Sequence, residues 1–437
     1  MATYSSKKYP SGSVTSATLA DGSVVAVDLA DGAVTSAKLN STVDLSGKTV
    51  TYRSIVAGDI ASGAITTAKM ANSGAELGMR NRIINGDMRI DQRNAGASYS
   101  ALDSTYGLDR WKLASWDGSG TATGKYTVQQ SSTAPAGFAN SMLITSSAAT
   151  TIGSGAIYWV GQMIEGLNTA DLGWGTANAQ TVTISFWVRS SLTGTFAGSV
   201  LNSAANRSYP FSYTISSANT FEYKTITIAG DTSGTWLATN GIGIRLVFSL
   251  GIGTTYQGTA GAWAGSQLTS VTGSTNLLAT NGATLYITGV QLEKGSNATA
   301  FEHRQFGIEF SMCQRYYESS TPHGTLPTNG ADSTSLSSNS FCLATFVPWG
   351  STNASRPTIR FAVQKRAQPT IQQYGNNAGL LLYLGSGAGG ISSDNTLTSN
   401  ANMGLNAVDA TMLCLNNQAT GETIFGCGGA WTASAEL

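Results

Sequence analysis

Along residues 12–71 an apolar side chain returns every fifth position: Val14, Leu19, Val24, Leu29, Val34 and Leu39. After a break the beat resumes one residue out of phase at Ile55, Ile60, Ile65 and Met70. Five is neither the 3.6 of a helix nor the 2 of a strand. A chain this thin cannot bury its own apolar residues, and ordering each backbone residue costs roughly 1–2 kcal/mol. Identical chains lying side by side, each giving one apolar residue per layer to a shared axis, remove the difficulty. The stretch therefore reads as the stalk of a homo-oligomer, with those ten residues as its core. Fully extended it spans at most about 200 Å, at ~3.3 Å per residue. A disordered Ala/Ser/Thr/Gly linker is the competing reading. Residues 43–56 interrupt the beat with a segment of alternating character.

Beyond the stalk the period changes to two. Residues 72–98 form a connector, in which 82–93 reads as a strand with a turn at Asn85-Gly86-Asp87. Alternation there places Asp87, Arg89, Asp91 and Arg93 on one face and Met88 and Ile90 on the other, so the pairs Asp87–Arg89 and Asp91–Arg93 read as a salt-bridged strand surface or as a clamp between the stalk and the next domain. Residues 99–305 contain short alternating runs between Gly, Ser, Asn and Asp clusters. The clearest strands are 181–190, 221–230, 241–251 and 283–295, with others at 109–113, 125–130, 140–145 and 156–160. About eight antiparallel strands over some 200 residues suit a jelly-roll sandwich. Residues 306–320 read as a helix, with Phe306, Phe310, Cys313 and Tyr317 at helical spacing. That helix is expected to lie against the sandwich or against its copies in neighbouring chains. Residues 321–340 read as a linker. Residues 341–437 read as a smaller β-rich tip, with strands at 341–348, 358–365, 370–374, 379–384, 410–415 and 422–426. Its Gly-rich loop 385–404 is too polar for a core. The expected fold class is thus all-β: an elongated homo-oligomeric N-terminal stalk, which the resemblance given below implies is trimeric, a jelly-roll body, one helix and a small C-terminal tip.

Composition narrows the function classes. Only 11% of the 437 residues are charged, against roughly 25% in ordinary globular chains. Twenty-four basic and 24 acidic residues cancel. A neutral chain without a basic cluster is a poor nucleic-acid ligand, because phosphate neutralisation dominates that affinity. No run approaches the ~20 apolar residues of a membrane helix. The opening MATYSSKKYPSGS has no apolar segment of the kind a secretory leader needs. Residues 1–11 instead suit a docking peptide, or a frayed end. Four cysteines at 313, 342, 414 and 427 form no CxxC pair, and free thiols in a reducing cytosol are expected.

Three strings carry a family resemblance. The repeats GAVTSAKL and GAITTAKM resemble those of bacteriophage tail fibres. NRIINGDMRIDQRNAG followed by YGLDRWKL resembles the opening of a body domain found in many phage fibre and receptor-binding proteins. VQLEKGSNATAFEHRQFGIEFSMCQRYYE is similar to the close of that domain and its trailing helix. The three bracket residues 12–317. The resemblance implies a homotrimeric fibre made in the host cytoplasm and built into the virion. It implies attachment of the N-terminus to a phage tail or baseplate protein. The outer parts would meet bacterial surface polysaccharide or lipopolysaccharide through a body similar to carbohydrate-binding modules. The segment 361–375 is similar to small β-rich tips that follow such bodies.

Sugar binding needs an aromatic plane for the pyranose face and polar groups for its hydroxyls. In strand 181–190, Val182, Ile184, Phe186 and Val188 form a core face. Trp187 and Arg189 stand on the opposite, hydroxyl-lined face with Thr183 and Ser185. Arg245 lies opposite the core residues of strand 241–251. If these strands share one open face, Trp187, Arg189 and Arg245 make a shallow platform. Otherwise that face is buried against a neighbouring protomer or a second sheet. Trp174, Trp236, Tyr256 and Trp263 sit beside glycines in loops, either as turn anchors or as ligand platforms. Trp349, in PWGSTN, is the tip candidate. Catalysis has little support. Asp109, Asp117, Glu165, Asp171, Glu222 and Asp231 share no motif of the paired carboxylates that glycoside hydrolysis uses. With His303 and His323 the only histidines, and no G-x-S-x-G or HExxH, neither cofactor nor metal is expected. A fibre-borne depolymerase and a purely structural tail adaptor or spacer remain the alternatives.

Overall fold

The computed structural model describes residues 79–327, 341–343, 358–374, 381–385, 404–407, 412–416 and 423–437. All belong to one compact unit, residues 67–437. The docking peptide 1–11, the stalk with its beat from Val14 to Met70, linker residues 328–340, loop residues 386–403 and Trp349 lie outside the described residues.

Thirteen strands build the body: β1 (Tyr99–Ser100), β2 (Trp111–Trp116), β3 (Tyr126–Ser131), β4 (Ser141–Ser146), β5 (Ile157–Glu165), β6 (Val182–Ser190), β7 (Gly194–Leu201), β8 (Ser208–Ile215), β9 (Glu222–Ile228), β10 (Ile242–Ile252), β11 (Gln257–Gly258), β12 (Ser270–Val271) and β13 (Thr284–Lys294). Eleven of them form a six-stranded sheet, β1-β3-β4-β13-β6-β9, and a five-stranded sheet, β2-β5-β10-β7-β8, while β11 and β12 pair parallel as a separate two-stranded ribbon. The pairings within both sheets are antiparallel. The quartets β4-β13-β6-β9 and β5-β10-β7-β8 interleave along the chain as a jelly roll requires. Period-two alternation explains why the sheets face each other. Val182, Ile184, Phe186 and Val188 of β6 are fully buried, as are Leu246, Phe248 and Leu250 of β10, with Ile244 nearly so. Phe186 and Phe248 meet edge to face at 5.0 Å between the layers. Fully burying each such side chain is worth about 1.5–3 kcal/mol. Trp111 closes the same core, its indole N–H donating to Asn85 O at 3.0 Å.

The connector departs from expectation. Residues 82–93 form turns rather than a strand, and the acidic residues expected at the surface are buried: Asp87 and Asp91, with Asn81, Asn85 and Gln92 beside them. The side chains bond the backbone locally, which competes with strand pairing. Asn85 accepts from Ile90 N and donates to Ile90 O, while Asp91 accepts from Asn94 N and Gly96 N. Gln162 of β5 bridges both backbone groups of Ile84, each at 2.8 Å. The expected pairing of Asp87 with Arg89 is present, but Arg93 pairs with Glu436.

The helix is shorter than expected: α1 spans Phe306–Gln314, and Tyr317–Ser319 is already a strand, β14. Its buried face is also different. Glu309 and Cys313 are buried, whereas Phe306 is 44% exposed. The remaining strands are β15 (Phe341–Leu343), β16 (Thr358–Arg360), β17 (Thr370–Tyr374), β18 (Leu381–Gly385), β19 (Gly404–Ala407), β20 (Met412–Asn416) and β21 (Thr423–Ser434). β21 pairs with β14, β15, β17 and β18, and a separate sheet runs β16-β20-β19. The chain then returns to the body. Glu436 forms ion pairs with Arg93 and Arg110, and Arg366 donates to Ala435 O and Glu436 O, both at 2.8 Å. No helix of the described residues is long and apolar enough to cross a membrane.

Candidate functional site

The outer face of the six-stranded sheet divides into two halves. Residues 295–303 form a strap over one half. Thr183 donates to Gly295 O at 2.8 Å, Thr227 to Ser296 O at 3.2 Å, and Glu293 accepts from Thr299 N at 2.8 Å. Under the strap Thr183, Ser185, Gln291 and Glu293 are all buried. The strap thus disposes of part of the hydroxyl-lined face expected for β6.

The other half stays open and is aromatic. Trp187 stands opposite Thr288 on one side and Tyr223 on the other. The Trp187 and Tyr223 rings lie 5.3 Å apart, and Tyr223 is 42% exposed. Two residues along β6, hence about 7 Å away, Arg189 lies opposite Tyr286. Its guanidinium sits 4.8 Å from the Tyr286 ring and 6.0 Å from that of Phe221. Arg189 Nε donates to Asn219 O at 2.8 Å, and Asn219 N donates to Ser190 O at 2.6 Å. The turn at 216–221 is thereby tied to the end of β6. On the far side of Trp187, Phe138 contacts Phe301 at 5.1 Å and His303 at 5.2 Å. Gly289 is the floor between these rings. A Cβ there would stand 2.7 Å from Phe138 and 3.1 Å from Trp187. Leu143 and Gln129 extend the Tyr286 row across β4 and β3. The result is a half-open row of rings with one guanidinium set among them.

Three of the loop aromatics come together elsewhere. Trp174, Trp236 and Trp263 meet edge to face, with centroids 4.7–5.5 Å apart. Tyr209 joins at 5.1 Å from Trp263. Each indole N–H is engaged: Trp174 with Gln180 O at 2.7 Å, Trp263 with Ala229 O at 2.9 Å, and Trp236 with Ser233 O at 3.2 Å and Asp231 at 3.3 Å. Asp231 also holds Arg207 through two 2.7 Å bonds. Perpendicular rings with their polar edges tied to backbone suit loop anchors that close the core better than they suit a flat platform. Tyr256 is half-buried in a 3-10 turn at Thr254–Tyr256, with no ring partner among the described residues.

Arg245 does not join Trp187 and Arg189. β10 belongs to the five-stranded sheet, so Arg245 lies on the opposite side of the sandwich. It stands between Met163 and Leu201 and donates to Ser203 O. Burial lowers its pKa. Alternation does set it opposite the core residues of β10; strand order, which local pattern does not encode, separates it from β6.

The carboxylates singled out by sequence all have holding roles. Glu165 receives Arg315 at 2.6 Å and the Tyr316 hydroxyl at 2.6 Å, and although burial opposes it, these donors lower its pKa. Asp171 pairs with Arg82 at 2.8 Å, Glu222 with Lys224 at 2.6 Å, and Asp117 caps the Ser119–Gly120 turn. Asp109 is fully buried and accepts twice from Gln92, at 2.7 and 2.6 Å. Desolvation pushes its pKa up to about 7, against the pull of Arg93 and those bonds. Among the described residues no three His, Cys, Asp or Glu side chains gather as a metal site would need.

Tyr223, Tyr286, Phe221, Phe138 and Phe301 were not singled out from sequence, and His303 was weighed there for catalysis and metal binding alone. Tyr286 and Tyr223 were within reach, because alternation along 283–288 and 221–228 sets them opposite core residues. Phe138 and the Phe301–His303 pair lie in loops, where no period marks a side chain's face.

No protein-family model matches the sequence, and no curated protein is similar to it. Solved structures similar to parts of the chain include the enzymatically active domain of tailspike protein 4 of bacteriophage CBA120. That similarity is at 16% identity over 49% of this chain and 21% of that one, with a TM-score of 0.27. The chain therefore spans about a fifth of that protein's length. The family 11 carbohydrate-binding module of Clostridium thermocellum, solved with a β-1,3-1,4-mixed-linked tetrasaccharide, is 12% identical over 47% of this chain and 98% of that one, with a TM-score of 0.24. The module TmCBM61, solved with β-1,4-galactotriose, is 12% identical over 49% of this chain and 99% of that one, also with a TM-score of 0.24.

Proposed function

We propose that this chain is a structural phage tail-fibre protein. It trimerises through residues 12–71, joins the tail by its N-terminal residues, and attaches the virion to its host by recognising surface glycan without cutting it. The observation that carries the glycan reading is the open aromatic row of Trp187, Tyr223, Tyr286 and Phe221 around Arg189. Half-exposed rings on a rigid sheet offer planes to pyranose faces, and a hydroxyl-rich surround offers hydrogen bonds. The five-residue beat and the sequence resemblance over residues 12–317 support the fibre reading. The holding roles of the carboxylates favour binding over hydrolysis.

Adsorption of the full-length protein to cells and to purified surface polysaccharides tests the proposal. Binding to at least one bacterial polysaccharide is expected, with no release of reducing ends. Trp187→Ala and Tyr223→Ala are each expected to weaken it about tenfold, the effect of losing ~1.4 kcal/mol. Binding that neither substitution changes would remove the sheet face from the mechanism.

A further inference from the structure

The open half of the sheet also carries an electrostatic preference. In the uncovered half the outward positions of the sheet, taken by alternation, include Gln129, Leu143, Tyr286, Trp187, Arg189 and Tyr223. Arg189 is the one charged side chain among them. The outward carboxylate of β13, Glu293, lies buried beneath the strap and is bonded to Thr299 and Gln291. Glu222 is taken by Lys224 and by the amides of Ser216 and Ser217. Arg189 forms no ion pair with any described residue, unlike Arg82, Arg89, Arg93, Arg110, Arg207, Arg304 and Arg315. Its Nε is fixed on Asn219 O, and its two terminal nitrogens bond no described residue. The guanidinium is thus held by one edge and flanked by Tyr286 and Phe221, while its fork stays free.

We infer that this face binds an acidic glycan, with the Arg189 fork taking a sugar carboxylate, as in a uronic or sialic acid, while Trp187 and Tyr223 take the neighbouring ring. A planar fork matches a carboxylate through two parallel charge-assisted bonds, which a neutral sugar cannot offer. A ring system around the fork keeps water from competing on both sides and preserves its orientation. The inference rests on the glycan reading above and specifies the sugar class for the same face. A second copy of this chain is the other candidate occupant. Among the described residues Glu165, Asp171, Glu222, Asp231, Glu293 and Glu436 are each already bonded within their own chain, which argues against a copy as the source of a free carboxylate.

Affinity electrophoresis of the full-length protein decides the matter, using polygalacturonate, alginate, hyaluronan and polysialic acid beside the carboxyl-reduced form of each. Dextran sulfate and neutral dextran serve as further arms. At least one carboxylate polymer is expected to retard the protein, with affinity falling tenfold or more on carboxyl reduction. Arg189→Gln is expected to give the same loss at unchanged melting temperature, and Arg189→Lys a smaller one. Affinity should fall as salt rises from 50 to 500 mM. Equal retardation by reduced polymers, or indifference to Arg189→Gln, overturns the acidic assignment and leaves glycan binding standing. Tighter binding to dextran sulfate than to every carboxylate polymer overturns the carboxylate assignment alone. A change in sedimentation on Arg189→Gln assigns the face to a second copy instead. Retardation by none of the acidic polymers also overturns the acidic assignment, and adsorption to host cells that survives Trp187→Ala and Tyr223→Ala then removes the sheet-face reading with it.

Discussion

At Gly289 the chain takes φ +61°, and two rings lean on the space where a Cβ would be. Gly289→Ala therefore meets two costs: a left-handed backbone for an L-residue and a collision with Phe138 and Trp187. Together they are expected to destabilise the body by roughly 1–3 kcal/mol and to shift Trp187 away from Tyr223. Urea titration read by tryptophan fluorescence gives the first, and polysaccharide binding the second. An alanine variant as stable and as active as the parent would mean that loop 132–140 does not set the platform. Asp109 makes a different single-residue argument. Burial raises its pKa to about 7 in the folded chain, above the ~3.9 of an unfolded aspartate. The folded state then binds more protons between those values, so its stabilising contribution is complete below about pH 4 and is lost as pH rises through 7. Asp91 is also raised by burial and slopes the same way, whereas Glu165 is lowered and slopes oppositely. Comparing Asp109→Asn with the parent isolates the residue. The parent should lose stability from pH 4 to 7.5 more steeply than the variant, although removing an acceptor from Gln92 lowers the variant's stability throughout. Parallel curves would count against a neutral Asp109.

Elements show which parts of the reading a local pattern can carry. Strand β6 was legible face by face, because a period of two has only two outcomes and four consecutive apolar positions settle which is inward. The jelly roll was legible from strand number and turn spacing. That β10 lies in the other sheet was not, since pairing partners up to a hundred residues away leave no mark on a strand's own alternation. The connector and α1 differ from expectation for a related reason. Spacing of Phe306, Phe310, Cys313 and Tyr317 proposes an apolar buried face, but the helix start is committed to polar work. Glu309 accepts from Asn85 N and pairs with Arg304 at 3.1 Å, and Arg304 in turn donates to Ile83 O at 3.1 Å and to Asn81 O. A first-turn carboxylate is favoured by the helix dipole, and here it also satisfies connector amides that have no strand partner. Glu309→Ala leaves the buried Asn85 N–H without its acceptor and Arg304 with Glu302 as its one remaining carboxylate, so it is expected to cost about 1–3 kcal/mol. Arg304→Met with Glu309→Leu should recover part of that loss. A guanidinium denaturation double-mutant cycle measures the coupling; simple additivity would show that connector and helix are held separately.

For the molecule as a whole, the decisive joint is between residues 343 positions apart, Arg93 and Glu436. Arg110, fully buried and held at φ +71°, shares the same carboxylate and donates to Met163 O. The Arg110 guanidinium lies 3.5 Å from the Tyr316 ring, and that of Arg93 lies 3.8 Å from Tyr317. Burial works against both charges, yet Glu436 outweighs it and their pKa values rise. No local pattern distinguishes Glu436 in the sequence TASAEL, so by sequence body and tip part at the linker 321–340. The ion pairs argue otherwise. A chain ending at 320 keeps the Arg93 and Arg110 guanidiniums and removes the carboxylate that balances them; where such a charge stays buried, the loss costs about 3–5 kcal/mol. Glu436→Ala in the full chain is expected to lower stability by a similar amount, and Glu436→Gln by less, since an amide still accepts hydrogen bonds. Thermal melts of the parent, both substitutions and the 72–320 fragment should therefore rank in that order, with the fragment lowest. A fragment that melts with the parent would show that the body closes without its distant partner, and binding by body and tip could then be assayed on separate pieces.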